Sequence, residues 1–308
     1  MLLFFTSFYN WLNTHEALLR RFRVFSVLRF STRHIANICL MIYFYITRNN
    51  PKYKLDNSCD VIVSLTSFPR RIGKLWMVIE TLLRQDMKPS SIILWLSKEQ
   101  FSSIEVLPGI LKKMQRRGLV IRLCENDIRS HKKYYYAIKE FPNKTLVTVD
   151  DDILYRPDLI SSLVKLSIEN PNCIIADYAH LIKRDNGIIC PYREWPWLDS
   201  ALNDVDVFFG SGGGTLYPPG SLHKEVTNIT ACLKLCPYAD DIWLNAMARL
   251  QNTRIIKTQG ISDPLLITTF NNYTLASVNY DEGNDNQLRD IRNYYLNKLS
   301  VDPFSIKK

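Results

Sequence analysis

Three adjacent carboxylates, Asp150, Asp151 and Asp152, directly follow the apolar run TLVTV in this 308-residue chain. Two unit charges about 5 Å apart repel by roughly 3 kcal/mol at an effective dielectric near 20, so a half-buried cluster needs something to offset the repulsion. A bound cation, raised pKa values or full exposure on a loop tip would each do so. If the extended backbone continues, Asp150 and Asp152 point to one side and suit a hard divalent cation.

A second acidic pair, Asp240 and Asp241, begins the segment DDIWLNAMARL, which is expected to be helical. An Asp at the start of a helix is often an N-cap. A carboxylate within hydrogen-bond reach of a hydroxyl, with a pKa adjusted by burial, can instead act as a general base. The two roles are compatible for neighbouring residues, so both stay open for this pair.

The segment GSGGGTLYPPG, residues 210–220, has four glycines in its first five positions. Glycine allows the backbone to pass close to a ligand and to adopt positive φ. No Gly-x-x-x-x-Gly-Lys pattern is present, so the segment is not a phosphate-binding P-loop. We interpret it as a loop beside a bound ligand, with Gly212 and Gly213 as the contacts, and a tight turn is the alternative.

Short apolar strands alternate with helices ahead of the triplet. The pattern predicts strands at 61–67, 91–97, 119–125 and 145–150, and helices at 74–85, 108–117 and 131–141. Such alternation is typical of an α/β fold with a mostly parallel sheet sandwiched by helices. It places the triplet at the carboxyl end of the fourth strand, where open α/β sheets bind ligands. Later elements are predicted at 157–170, 173–177, 228–235, 237–252, 254–258 and 283–299.

The positive charge is concentrated at the N-terminus. Residues 1–54 contain eight Lys/Arg and one acidic residue, Glu16, whereas the rest contains 31 basic and 29 acidic residues. The main domain therefore does not have the charge of a nucleic-acid binder. The uncharged run 35–47 has 13 residues, which is short of the roughly 20 needed to span a bilayer.

We therefore predict two parts: a basic, aromatic, helical segment at 1–55 and a globular domain at 56–308. The segment could lie in a membrane interface and attract anionic lipid, or it could pack on the main domain. Seven scattered cysteines, an odd number without a C-x-x-C pair, fit a reducing compartment and thus a cytoplasmic protein.

Taken together, VIVSLTSFP, HKKYYYAIKEFPNKTLVTVDDDILY, GSGGGTLYPPG and ADDIWLNAMARL resemble bacterial nucleotide-sugar glycosyltransferases of the GT-A fold. The similarity is greatest to enzymes that build lipopolysaccharide, O-antigen or capsule, and it covers about residues 60–300. It implies a Rossmann-like domain that transfers a sugar, expected to be a hexose, from a nucleotide sugar to a glycan or lipid-linked acceptor. The charge and the aromatic residues of segment 1–55 suit peripheral attachment to the inner face of the inner membrane.

The resemblance also implies roles for individual residues. Asp152 matches the last carboxylate of the family's Asp-x-Asp motif and would bind Mn²⁺ or Mg²⁺ at the donor diphosphate, with Asp150 supporting the metal or the ribose. Such an ion stabilises the leaving group as its charge develops. Asp241 would be the base of an inverting reaction, and Asp240 would hold the acceptor or cap the helix.

Further candidate contacts to the substrate lie around these motifs. Arg70 and Arg71 could equally be surface charges, and Lys132 and Lys133 could equally be a solvated helix start. Many metal-dependent relatives add a C-terminal His ligand, but the last histidine here is His223, so the third ligand stays open. The candidate substrate-binding residues are Thr66, Arg70, Lys132, Asp151, Gly212, Gly213 and Asp240.

Two other functions fit parts of the pattern. A nucleotidyltransferase shares an α/β nucleotide fold and acidic metal ligands, but it usually needs an early glycine-rich loop, and VSLTSFPRR has no glycine. A non-catalytic, membrane-attached carbohydrate-binding protein is the third interpretation. The intact acidic residues of the triplet and of the second pair count against it. Trp195 and Trp197 could stack on an acceptor sugar, lie in the core or belong to a lid.

Overall fold

The computed structural model describes residues 1–56, 59–259, 264–268 and 283–305. The strands of its main sheet alternate with helices over the first half of the globular part. These strands are β1 (Val61–Thr66), β2 (Ser91–Ser97), β3 (Leu119–Cys124), β4 (Thr145–Val149), β5 (Ile174–Ala176), β9 (Leu202–Asn203), β11 (Gly213–Tyr217) and β12 (Ile255–Lys257). Short accessory strands are β6 (Ala179–Leu181), β7 (Arg184–Asp185), β8 (Ile188–Ile189) and β10 (Val207–Phe209).

Helices cover both faces of the sheet, and three of them precede it. The helices are α1 (Leu2–Thr14), α2 (Glu16–Arg21), α3 (Phe25–Thr47), α4 (Leu75–Leu83), α5 (Gly109–Met114), α6 (Lys132–Glu140), α7 (Leu159–Glu169), α8 (Ile229–Leu235), α9 (Asp240–Leu250) and α10 (Gly283–Leu299).

The sheet has the order β3-β2-β1-β4-β11-β5-β12-β9. β1 pairs in parallel with β2 and β4, and β2 pairs in parallel with β3, because each connection between them contains a helix that returns the chain to the same edge. The predicted α/β architecture, with a mostly parallel sheet between helices and a helical N-terminal extension, is confirmed.

Successive side chains of each strand enter different cores. Val63 of β1 faces the core that α1, α3, α4, α5 and α7 cover, whereas Ile62 faces the core beneath α6, α8, α9 and α10. This follows from the two-residue period of a strand, since neighbouring side chains point to opposite faces. Both faces are apolar, which explains why β1 is a continuous apolar run rather than an alternating one.

β11 differs from the expectation of a loop at residues 210–220. It runs antiparallel between β4 and β5 and completes the middle of the sheet. Its Thr-Leu-Tyr portion consists of residues that favour strands, and these three side chains are buried. Gly210 and Gly212 lead into this strand. Gly214, within it, has a φ of 99°, which other residues rarely adopt.

The N-terminal helices pack on the sheet domain with one face. Tyr9 of α1 and Leu40 and Phe44 of α3 are buried in the same core as α4. Arg29 of α3 donates a 2.9 Å hydrogen bond to the hydroxyl of Tyr9 and so joins α3 to α1. In the described ranges none of the helices combines the length and apolarity that crossing a bilayer requires. The division of the chain near residue 55 stays a prediction.

α3 also holds the segment 264–268. The Asn37 side chain donates to the carbonyl of Leu266 (3.1 Å) and accepts from the amide of Thr268 (2.9 Å). The amide of Ile267 in turn donates to the carbonyl of Asp152 at 2.7 Å. The N-terminal helices are therefore connected to the acidic triplet through one short segment.

Candidate active site

The buried ammonium group of Lys133 joins the two acidic motifs. Its Nζ lies 2.7 Å from Oδ1 of Asp150 and 3.0 Å from Oδ2 of Asp240, and its side chain is 2% exposed. Burial alone would lower the pKa of Lys133, but the charges of Asp150, Asp240 and Asp241 hold it well above its usual value. β4 and α9 thus present their carboxylates to one cation at the start of α6.

Arg71 holds the other two members of the triplet. Its guanidinium lies 2.7 Å from Oδ1 of Asp151 and 2.8 Å from Oδ2 of Asp152. The hydroxyl of Ser67, just after β1, donates to the second oxygen of Asp151 at 2.6 Å. Burial raises the pKa of Asp151, and it raises the pKa of Asp152 to about 7 although Arg71 opposes the shift. A further cation beside a carboxyl whose pKa is raised by burial would stabilise its ionised form.

The two carboxylates at the start of α9 have opposite pKa shifts. Burial would raise the pKa of Asp240, but Lys133, His131 and the hydroxyl of Ser211 (2.5 Å) lower it to about 2. Burial and the neighbouring charge of Asp240 raise the pKa of Asp241 to about 7, although Lys133 and Ser211, whose amide donates to Asp241 at 2.6 Å, lower it. One carboxylate therefore stays ionised while the other can take and release a proton near neutral pH.

The backbone before β11 fits closely around the triplet. A Cβ on Gly212 would lie 1.7 Å from Oδ2 of Asp150, so only glycine leaves room for that carboxylate. The carbonyl of Gly212 accepts from the amide of Asp150 (3.0 Å) and from the hydroxyl of Tyr155 (2.5 Å). A Cβ on Gly213 would lie 2.1 Å from Cβ of Tyr178. In this structure the groups that approach Gly212 and Gly213 closely are therefore side chains of the protein itself.

Aromatic side chains lie beside these glycines. Trp197 is exposed, and its ring centroid lies 3.4 Å from that of His180 and 4.5 Å from that of Tyr178. Trp195 is buried, and its indole N–H donates to the carbonyl of Cys190 at 2.9 Å. The two tryptophans therefore differ: Trp195 belongs to the core, and Trp197 presents an aromatic ring to solvent.

Three of the candidate residues lie apart from the acidic cluster. Thr66 donates its hydroxyl to the carbonyl of Trp95 at 2.8 Å, and Arg70 is exposed on the turn that follows β1. Lys132 is buried and forms an ion pair with Asp127. The residues that follow them in the chain, Arg71 and Lys133, contact the acidic cluster instead. The substrate contacts expected of Thr66, Arg70 and Lys132 stay predictions.

The expected alternation within the triplet does not hold. β4 ends at Val149, and the chain then bends, so the strand period no longer applies. Asp151 and Asp152 share Arg71, whereas Asp150 turns toward α6. Residues that sequence reasoning passed over are Ser67, Ser211 and Tyr155. Their polar side chains next to the motifs were the available signal, but their contacts depend on the tertiary path.

Asp150 and Asp152 supply donors of the right chemistry for Mg²⁺ or Mn²⁺. Both carboxylates have oxygen atoms at the solvent side of the cluster, where their side chains are 44% and 24% exposed. Hard divalent cations prefer such oxygens and accept phosphate or water in the other positions. Within the described residues no group of three or more His, Cys, Asp or Glu side chains is arranged to hold a metal ion. The assignment of Asp150 and Asp152 as metal ligands stays a prediction.

No protein-family model matches this chain, and no curated protein matches it. Among solved structures, it is similar to S. aureus TarS 1-349 in complex with UDP-GlcNAc, with 14% identity and a TM-score of 0.49, over 78% of this chain and 67% of that one. Another structure of TarS 1-349 matches over 66% of its length, just under two thirds, with 12% identity and a TM-score of 0.45 over 76% of this chain.

Two other types of enzyme are also similar. A mannosyltransferase, PcManGT from Pyrobaculum calidifontis in complex with GDP-Man and Mn²⁺, shares 11% identity and a TM-score of 0.47, over 83% of this chain and 73% of that one. A 4-diphosphocytidyl-2C-methyl-D-erythritol synthase shares 12% identity and a TM-score of 0.44, over 68% and 94%. At these identities and scores the similarities assign no activity to this chain.

Proposed function

We propose that this protein is a divalent-metal-dependent glycosyltransferase that moves a sugar, expected to be a hexose, from a nucleotide sugar to an acceptor hydroxyl with inversion. The observation that carries the proposal is the acidic pair at the start of α9. Asp240 is held ionised by Lys133, and Asp241 has a pKa raised to about 7 by burial and by its neighbour. A base with this pKa is matched to proton transfer near neutral pH.

In the proposed reaction an acceptor hydroxyl attacks the anomeric carbon of the donor. The new carbon–oxygen bond forms as the bond between that carbon and the diphosphate breaks, and the hydroxyl proton moves to the carboxylate of Asp241. The electron pair of the broken bond leaves on the nucleoside diphosphate. Ser211, whose amide donates to Asp241, orients the base, and Asp240 stays charged beside Lys133.

Asp150 and Asp152 would hold the metal, which would supply Lewis-acid stabilisation of the diphosphate leaving group. Lys133 and Arg71 lie against these carboxylates and would be the basic side chains next to the phosphates. Asp151 would have a positioning role, since Ser67 and Arg71 fix it from the β1 side. Trp197, beside Tyr178, would provide a stacking surface for the acceptor sugar.

The acceptor in this proposal is a surface-glycan intermediate of the lipopolysaccharide, O-antigen or capsule type, either free or lipid-linked, and the reaction is cytoplasmic. The motif resemblance in residues 60–300 supports this choice, and the exposed ring of Trp197 is compatible with a glycan. The catalytic part is the domain from residue 56 to residue 308.

The test is a screen of nucleotide sugars by thermal shift with Mn²⁺, followed by turnover of the donor that binds. We expect release of a nucleoside diphosphate and a product of inverted anomeric configuration, both lost in Asp241→Asn. Release of pyrophosphate would show a nucleotidyltransferase instead. Binding of sugars without turnover of any donor would show a non-catalytic carbohydrate-binding protein.

A further inference from the structure

The first helix has two apolar faces. Leu2, Tyr9 and Leu12 are buried, whereas Phe4, Phe8 and Trp11 are exposed on the opposite side. The three exposed rings follow one another along α1, with centroids 6.3 Å apart for Phe4 and Phe8 and 5.9 Å apart for Phe8 and Trp11. These exposed rings are not stabilised by the core of their own domain, because the opposite face of α1 makes the packing contacts with that core.

The long helix α3 repeats this arrangement. Ala36, Leu40 and Phe44 face the core at a spacing of four residues. A second set of apolar side chains, spaced three and four residues apart, forms a stripe on the opposite, exposed side of the helix. Soluble monomers rarely expose contiguous apolar patches of this extent without an interaction partner. The stripe comprises Ile35, Ile38, Ile42, Tyr45 and Ile46.

Because α1 and α3 pack on the same side of the sheet, we infer that their exposed faces both point away from it. α1 and α3 are joined by Arg29 and Tyr9, and both bury their other faces in one core. We call the outward apolar side chains of α1 and α3 the outer face. Because the inner faces already hold these helices in place, the outer face is available without any rearrangement of the domain.

Basic side chains are exposed where α2 connects α1 to α3. Arg20, Arg21 and Arg23 are exposed there, and Glu16, the acidic residue of the first 54, pairs with Arg20 at 2.5 Å, which leaves an excess of positive charge. This excess of positive charge indicates which partner the outer face would bind. A second copy of the chain would bring the same excess of positive charge to the contact, whereas anionic lipid headgroups complement it. Aromatic and aliphatic side chains next to arginines are the composition of helices that lie in a bilayer interface.

We propose that the outer face of α1 and α3 docks on an anionic lipid bilayer, with α1 and α3 in the plane of the interface and Arg20, Arg21 and Arg23 on the headgroups. The inner face of α1, opposite the docked face, lies against the region beside β11. A cavity of about 30 Å³ is lined by Thr6 and Tyr9 of α1 and, across from them, by residues including Tyr178 and Gly213. In the docked state α1 therefore lies between the lipid surface and this region.

The test measures binding of the full chain to phosphatidylcholine vesicles with and without phosphatidylglycerol, by co-sedimentation. We expect binding that phosphatidylglycerol strengthens and that about 1 M salt weakens without abolishing, because salt screens only the electrostatic part. Phe4→Ser with Trp11→Ser should weaken binding about a hundredfold, since each buried large apolar side chain is worth roughly tenfold or more. The matched control is Ile168→Ser with Ile188→Ser, which removes exposed apolar side chains elsewhere on the surface and should change nothing.

The charge contribution is tested separately. Changing Arg20, Arg21 and Arg23 to Gln should remove the preference for phosphatidylglycerol and weaken binding about a hundredfold, at roughly fivefold for each arginine. Lys113→Gln with Arg116→Gln, two exposed basic residues at the end of α5, is the control. Binding of the Phe4/Trp11 variant like the wild type would overturn the proposal. So would a dimer that this variant dissociates while the wild type ignores vesicles, because the outer face would then belong to a second copy.

Discussion

The Nζ of Lys133 lies 3.0 Å from Oδ2 of Asp240, and this contact links the acidic pair at the start of α9 to the triplet after β4. The same ammonium group lies 2.7 Å from Asp150. Two segments that are ninety positions apart in the chain thereby share one buried cation. Removing its charge affects both carboxylates, and this makes it the most informative single position for testing the site.

Lys133→Met should lower the free energy of unfolding by about 3 kcal/mol, because breaking a buried ion pair leaves an uncompensated carboxylate. It should also abolish transfer, since neither acidic motif keeps its partner. Urea unfolding and donor turnover measure the two effects. Lys132→Met is the matched variant, because Lys132 is buried to the same extent but pairs with Asp127. It should lose stability and keep donor binding, and equal loss of donor binding in both variants would contradict the assignment.

Asp241→Asn should raise stability at neutral pH while removing activity. The pKa of Asp241 is raised from 3.8 to about 7 in the folded protein, so the native state binds more protons than the unfolded state between these values. Stability of the wild type therefore falls as pH rises from about 4 to about 7, by on the order of 4 kcal/mol for this group. Asn does not titrate and can still accept from the amide of Ser211.

Denaturant titrations of Asp241→Asn and wild type at pH 4 and pH 8 check this expectation. The variant should be the more stable protein at pH 8 and nearly equal to the wild type at pH 4. In the wild type, kcat/KM should fall about tenfold for each pH unit below about 7, as the base becomes protonated. A flat pH profile through this range would show that Asp241 is not the proton acceptor.

Gly212→Ala should displace the carboxylate of Asp150, because the added Cβ would lie 1.7 Å from its Oδ2. A carboxylate can rotate away more easily than backbone, so the domain should stay folded. Binding of a nucleoside diphosphate with Mn²⁺, measured by calorimetry, should weaken more than tenfold. Gly109→Ala, at a position with nothing within 4 Å of the new Cβ, is the control and should bind like the wild type.

Trp197→Ala should raise the KM for the acceptor several-fold and leave the affinity for the donor unchanged. An aromatic ring that stacks on its ligand contributes on the order of 1 kcal/mol. Trp11→Ala is a matched control, because Trp11 and Trp197 are 48% and 47% exposed but lie on different surfaces. With a soluble acceptor, Trp11→Ala should keep the wild-type KM. An increase in donor KM alone would assign Trp197 to the nucleotide sugar.

Phe44→Ala should destabilise the whole domain by about 3–5 kcal/mol, because Phe44 is fully buried between α3 and the sheet domain. Ile46→Ala, two residues further along the same helix, removes a side chain that is 73% exposed and should have almost no effect. Urea unfolding of both variants measures the difference. A small effect of Phe44→Ala would mean that the N-terminal helices fold independently of the rest, as a separate unit.

Local patterns were sufficient to predict most elements of the sheet domain. β2 begins and ends at the predicted residues, and α10 ends at the predicted Leu299, since a short apolar run and a sustained helical period are both local properties. β11 was missed because glycine contributes little to strand propensity, and its place between β4 and β5 is determined by pairing with distant residues. The acidic motifs could be placed at a strand end and a helix start because both elements are visible in the local sequence.

The choice between neighbouring basic residues was beyond local reasoning. Arg70 and Arg71 have the same chemistry, and so do Lys132 and Lys133. Which member of each pair faces the carboxylates depends on how the turn after β1 and the first turn of α6 meet the ends of the strands. A weak signal existed in α6: Lys133 is four residues before Ala137, which is buried.

The position of β11 has a consequence for synthesis of the chain. β4 ends at Val149 and its antiparallel neighbour begins at Gly213, 64 positions later. At about 5–20 residues per second, the ribosome needs several seconds to cover that distance, and during this time one edge of β4 has no partner. The hydrogen bond from the amide of Asp150 to the carbonyl of Gly212 also cannot form until Gly212 has been synthesised. A nascent chain therefore pairs β11 with β4 and places Gly212 against Asp150 in the same event.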